Sequence, residues 1–174
     1  MLARLLYSTK WFVMLIALQV LVFNHIHIAG YATPLPYVYF LLILPSDTPR
    51  SALLMWGFAL GFIVDTFTNT PGMAAAALTF IGFIRPALLH FFSPRDKEDN
   101  AYLPSATEMR RSSFFGYVLV AVLLHESIFF SLEAFTLYNW QELLINIATS
   151  SALTTLIIIA IESIRSSVRT TPKE

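Results

Sequence analysis

GFALGFIVDTFTNTPG, running from Gly57 to Gly72, decides how this chain is read. Gly57, Gly61 and Asp65 fall at i, i+4 and i+8, so they lie near one face of a helix. The rest of that helix is Leu, Met, Trp, Phe, Ile and Val, with no polar partner in sequence. A carboxylate in such a setting is costly unless something specific satisfies it. Small residues on the same face let a second helix come close enough to do so. The stretch predicts a packed helix inside a membrane protein. Asn69-Thr70-Pro71-Gly72 then reads as a tight turn, with Pro71 near the first turn of the next helix.

Composition points the same way. Of 174 residues, 56% are hydrophobic, 14% aromatic and only 13% charged, and the mean hydropathy is +0.66. A soluble domain carries roughly a quarter charged residues. Here the deficit falls in long blocks, which is how bilayer spans read. The formal net charge of zero suggests no nucleic-acid partner. The absence of cysteine removes disulfides, thiolate metal sites and a cysteine nucleophile. His25, His27 and Tyr31 stand where a signal peptidase needs small residues, so the first span is expected to stay as an anchor.

Apolar segments run at about 11–29, 35–45, 51–69, 72–92, 113–135 and 143–163. The second is bounded by Pro34, Pro36 and Pro45 and falls short of the roughly 20 residues of a straight span. It is either a short or broken helix buried among neighbours or a re-entrant segment. Charge favours the former. Arg4 and Lys10 precede the first span, and Arg50 lies between the second and third. Arg95, Lys97, Arg110 and Arg111 surround the loop 93–112, and Arg165, Arg169 and Lys173 follow the sixth span. The other three connections, around 24–34, 68–72 and 136–142, carry no basic residue. Six crossings put every basic residue except Arg85 on one face, which the positive-inside rule makes cytoplasmic. The expected fold is all-α, a compact bundle of six transmembrane helices in one domain, with both termini cytoplasmic. The loop 93–112 is too short for a catalytic domain and is a connector or a docking loop. The basic tail after Arg165 suits anionic lipid.

Few residues can carry chemistry. Asp65 has two roles open to it: proton or cation coupling, or a structural clasp on the following turn and helix N-terminus, where exposed amides favour a carboxylate. The clasp is the preferred reading. His125 and Glu126 fall near the middle of the fifth span, about 100° apart around the helix. Either could approach the depth of Asp65, as a relay or an interhelical hydrogen bond, and the bond carries more weight. Arg85, ahead of Pro86, is expected to snorkel toward the cytoplasm while the proline bends the helix end. Asn24, His25 and His27 cluster at the outer end of the first span, and His90 is too far away to complete a metal site. Met73 to Ala77 gives the fourth helix a small-residue face. No nucleophile elbow, zinc-binding His-Glu-x-x-His, phosphate loop or triad is present. Neither catalysis nor a cofactor is expected.

With those residues in hand, the chain resembles the MreD family, small integral-membrane members of the bacterial rod-shape machinery. The resemblance rests on Gly57-x-x-x-Gly61-x-x-x-Asp65 followed by Asn69-Thr70-Pro71-Gly72, on Leu18-Gln19-Val20-Leu21, and on the proline-rich segment from Pro34. It implies a five- or six-span bundle akin to the substrate-binding subunits of energy-coupling-factor transporters. It also implies a non-enzymatic inner-membrane scaffold that binds MreC. Through MreC the chain would connect MreB filaments to RodA, the elongation glycosyltransferase, and to its transpeptidase. The alternative is a substrate-capture subunit of a small-metabolite transporter, which needs a polar pocket built from groups such as Asp65, His125, Glu126 and Asn24.

Overall fold

Long apolar runs punctuated by proline, glycine and polar loops give an all-helical chain. The structure, a computed structural model, describes residues 2–25, 32–93, 101–134 and 139–170. The helices are α1 (Leu2–Leu21), α2 (Tyr39–Ile43), α3 (Arg50–Thr68), α4 (Met73–Phe92), α5 (Arg111–Ala134) and α6 (Trp140–Thr170), with 3-10 turns at Phe23–His25 and Pro36–Val38. Four stretches, Arg50–Thr68, Met73–Phe92, Arg111–Ala134 and Trp140–Ser167, are long and apolar enough to cross a bilayer. The chain is a multi-pass helical membrane protein. His27, Tyr31, Arg95, Lys97 and Lys173, read above from the sequence, lie outside the described residues.

The segments alternate in direction. Trp11 and Phe12 of α1 meet Tyr39 and Phe40, while Gln19, farther along α1, donates to the Pro34 carbonyl at 3.3 Å. The second segment therefore runs antiparallel to α1. It runs alongside α6 in the same direction: the Thr33 amide donates to Ser150 Oγ at 3.0 Å, the Leu35 amide to Thr154 Oγ1 at 2.9 Å, and the Tyr39 hydroxyl to Glu162. It leaves the bundle beside the α4–α5 connection, where the Ser46 amide donates to the Tyr102 carbonyl at 2.9 Å. The segment enters by Gln19 and exits by Tyr102, so it does not double back.

This explains how so few residues cover such depth. From Ser150 to Glu162, α6 advances about 18 Å. The second segment matches that between Thr33 and Tyr39 because its first residues lie outside any helix and rise more per residue than α6 does. Backbone outside a helix in hydrocarbon leaves its polar groups bare unless protein surrounds it. Here residues 34–44 are all buried, and the hydroxyls of α6 supply the missing partners. The segment forms the axis around which the longer helices pack.

Candidate functional site

The GFALGFIVDTFTNTPG stretch closes on the start of α4. A methyl group on Gly61 would stand 2.4 Å from Ala75 Cα, and one on Gly57 would stand 2.8 Å from the Leu78 carbonyl oxygen. At Gly82 of α4 the same addition would meet the Leu53 carbonyl at 2.9 Å. Backbone touches backbone along the whole α3–α4 hairpin, which only residues without a side chain permit. At its tip the helix ends on Asn69 in the left-handed region (φ 57°) and α4 begins after Gly72, also left-handed (φ 85°). Both the Asn69 and Thr70 amides donate to the Asp65 carbonyl, a helix stop that favours glycine or asparagine.

Gly72 occupies the N-cap of α4 and has no side chain with which to cap it. Asp65 does so from the preceding helix. Its Oδ1 accepts from the Ala74 amide at 2.9 Å and the Thr70 hydroxyl at 2.8 Å, and its Oδ2 accepts from the Ala75 amide at 2.9 Å. These amides are the second and third of the helix, the donors an N-cap side chain normally satisfies. The helix dipole adds a favourable charge. Asp65 is 5% exposed and is wholly engaged in joining α3 to α4.

Arg85 corrects the sequence reading. It does not snorkel: it is 1% exposed and turns inward to the end of α2. Its guanidinium donates to the carbonyls of Leu42, Leu44 and Pro45. The final carbonyls of a helix have no intrahelical partner, and five residues of helix leave nearly all of α2 in that state. A planar cation with several N–H donors is suited to collecting them. Burial of the second segment left Arg85 a closer target than the membrane surface.

A second junction was not foreseen. Glu162 and Arg165 are buried on α6, Arg165 only 7% exposed, and pair at 2.8 Å. Arg165 also donates to the Tyr39 hydroxyl at 2.9 Å and the Pro104 carbonyl at 3.2 Å, and its guanidinium lies 5.9 Å over the Trp11 ring. The other Glu162 oxygen accepts from the Ala106 amide at 2.8 Å. One ion pair thus holds α1, the second segment, the α4–α5 connection and α6. The sequence places Arg165 just beyond the sixth span; α6 instead continues to Thr170, and Arg165 turns to the axis. The signal available was the i, i+3 spacing of Glu162 and Arg165 at the end of an apolar run.

His125 and Glu126 do not meet Asp65. Glu126 reaches α6, accepting from the Ser151 hydroxyl at 2.8 Å. His125 is fully buried, edge-on to Tyr37 at 5.3 Å between centroids and stacked on Phe129 at 6.3 Å. Among the described residues, neither ring nitrogen has a hydrogen-bond partner, nor do the Tyr37 hydroxyl and Glu126 Oε1. The Asn24 side chain accepts from Gln19 at 3.0 Å. Among the described residues no group of three His, Cys, Asp or Glu side chains could hold a metal ion. No family model, curated protein or solved structure matches the chain.

Proposed function

We propose that this chain is an MreD-type scaffold of bacterial cell elongation: a non-enzymatic inner-membrane protein with cytoplasmic termini that binds MreC. Through MreC it couples MreB filaments to RodA and its transpeptidase. One observation supports this reading most. The buried charged groups Asp65, Arg85, Glu162 and Arg165 all join one segment of the bundle to another. The axis they surround is filled by the second segment rather than open to a solute. A bundle that commits these four charges to holding its shape acts through its outer faces. The likeness to energy-coupling-factor substrate-binding subunits belongs to the same proposal. Co-purification in detergent tests it: MreC is expected with the tagged chain, and depletion is expected to round a rod-shaped cell. Recovery of an ATP-binding-cassette module in place of MreC rejects the scaffold.

One observation favours the second reading, capture of a small metabolite. His125, Tyr37 and Glu126 hold interior polar atoms with no hydrogen-bond partner among the described residues, and convergent polar groups in an apolar wall are what ligand sites use. Thermal stabilisation of the purified protein by a metabolite, abolished by His125→Ala, supports that reading; a library screen without any stabilising compound counts against it.

A further inference from the structure

A cavity of about 310 Å³ opens between the last turns of α5 and the first turns of α6, at the opposite end of the pair from the α4–α5 connection. Phe130 and Glu133 line it from α5, Glu142 and Asn146 from α6. Glu126, Phe130 and Glu133 stand at i, i+4 and i+7, so they share one face of α5. Glu126 lies one turn deeper than Phe130 and spans the same gap, since its carboxyl accepts from Ser151 of α6. The lining is acidic, and the chain offers it no basic group. Residues 11–49, 51–84 and 112–164 contain no Lys or Arg. Residues 135–138, outside the described residues, are Phe, Thr, Leu and Tyr and add no charge.

We infer that this cleft binds a small organic amine, held by a primary ammonium or guanidinium group. The site deepens the capture reading and rests on it, naming the class of ligand and its way in. Hydrogen-bond polarity is the first reason, because the cleft offers acceptors. Glu142 Oε2 accepts from Asn139 Nδ2 at 3.3 Å, while Oε1 takes no bond among the described residues. Asn146 Oδ1 is sealed from solvent and has no partner among the described residues either. Deeper along the gap Glu126 is 0% exposed, and its Oε1 is in the same condition. Buried acceptors without donors are costly. A cation rich in N–H groups satisfies the acceptors and the charge together. The second reason is Phe130, which gives the cleft an aromatic wall beside its carboxylates; such a wall suits a cation and covers its carbon stem. A metal ion fits worse, because among the described residues no three His, Cys, Asp or Glu side chains come together to hold one. A quaternary ammonium brings the charge but has no N–H to donate.

Thermal unfolding of the purified full-length chain in neutral detergent tests this. Agmatine and putrescine are the probes, and tetramethylammonium at matched ionic strength is the comparison. The probes are expected to raise the unfolding midpoint saturably, and tetramethylammonium to leave it in place. Glu142→Gln and Asn146→Leu should each weaken the apparent affinity about tenfold, the effect of losing one hydrogen bond to a charged group. Glu108→Gln, at an exposed acid on the α4–α5 connection, keeps the affinity. Absence of a saturable shift with either probe overturns the inference. So does an equal shift with tetramethylammonium, or undiminished affinity in a folded Glu142→Gln or Asn146→Leu protein. Stabilisation by a neutral metabolite, abolished by His125→Ala, would then leave the capture reading standing without the amine.

Discussion

The α3–α4 hairpin and the α5–α6 pair solve one problem by opposite means. Between α3 and α4 the helices have almost no side chain at the contact, and the backbones meet across Gly57, Gly61 and Gly82. One carboxylate, Asp65, then locks the tip. Between α5 and α6 the contact is made by side chains: Glu126 bonds Ser151, aromatic rings of α5 fill the interior, and a cavity remains at one end. Apolar packing alone gives little net drive in a solvent as apolar as Leu, so helices associate by close approach or by polar bonds. The hairpin uses the first and the pair the second. A close approach tolerates no added atom, whereas a polar contact tolerates the loss of one bond.

That contrast can be broken experimentally. The largest effect is expected at the junction joining both halves: Arg165→Met strands the buried Glu162 and should cost about 3–5 kcal/mol. Adding Glu162→Gln should recover part of it, as measured by denaturant unfolding in detergent. Next comes Asp65→Ala, which leaves the Ala74 and Ala75 amides without acceptors and should cost about 2–3 kcal/mol. Asp65→Asn keeps one acceptor and should cost less than Asp65→Ala. Gly61→Ala forces two backbones apart and should cost about 1–3 kcal/mol. Gly116→Ala on α5 meets only the Phe92 ring, which can rotate away, so its cost should be the smaller of the two. Equal costs at these glycines would remove the distinction between backbone and side-chain packing. The smallest effect is expected for Ser151→Ala, at about 0.6 kcal/mol.

Sequence revealed the hairpin far better than the pair, for a physical reason. Gly57, Gly61, Asp65 and the Asn69–Gly72 turn are local in the chain, and spacing on one helix fixes which face they share. Arg85, Arg165 and Glu126 have partners on other segments 25 to 126 residues away in sequence, and no periodicity reports such a distance. Arg85 was misread for this reason: nothing around it shows that the carbonyls of Leu42 and Leu44 lie closer than the cytoplasmic surface. The second segment was suspect only in its length. That its first residues stay out of a helix, and thus cover more depth, follows from Ser150 and Thr154 on a helix more than a hundred residues later.

Those two hydroxyls bear on how the chain is made. The α3–α4 hairpin contains its own clasp and can close as soon as both helices leave the ribosome. The second segment is synthesised earlier, yet the hydroxyl partners of its Thr33 and Leu35 amides belong to α6, which appears more than a hundred residues later. Until α6 inserts, those two amides lack the Ser150 and Thr154 hydroxyls to which they donate in the finished bundle. Completion of the bundle is therefore set by α6, and a ribosome stalled before Ser150 would hold a finished hairpin beside an unfinished axis.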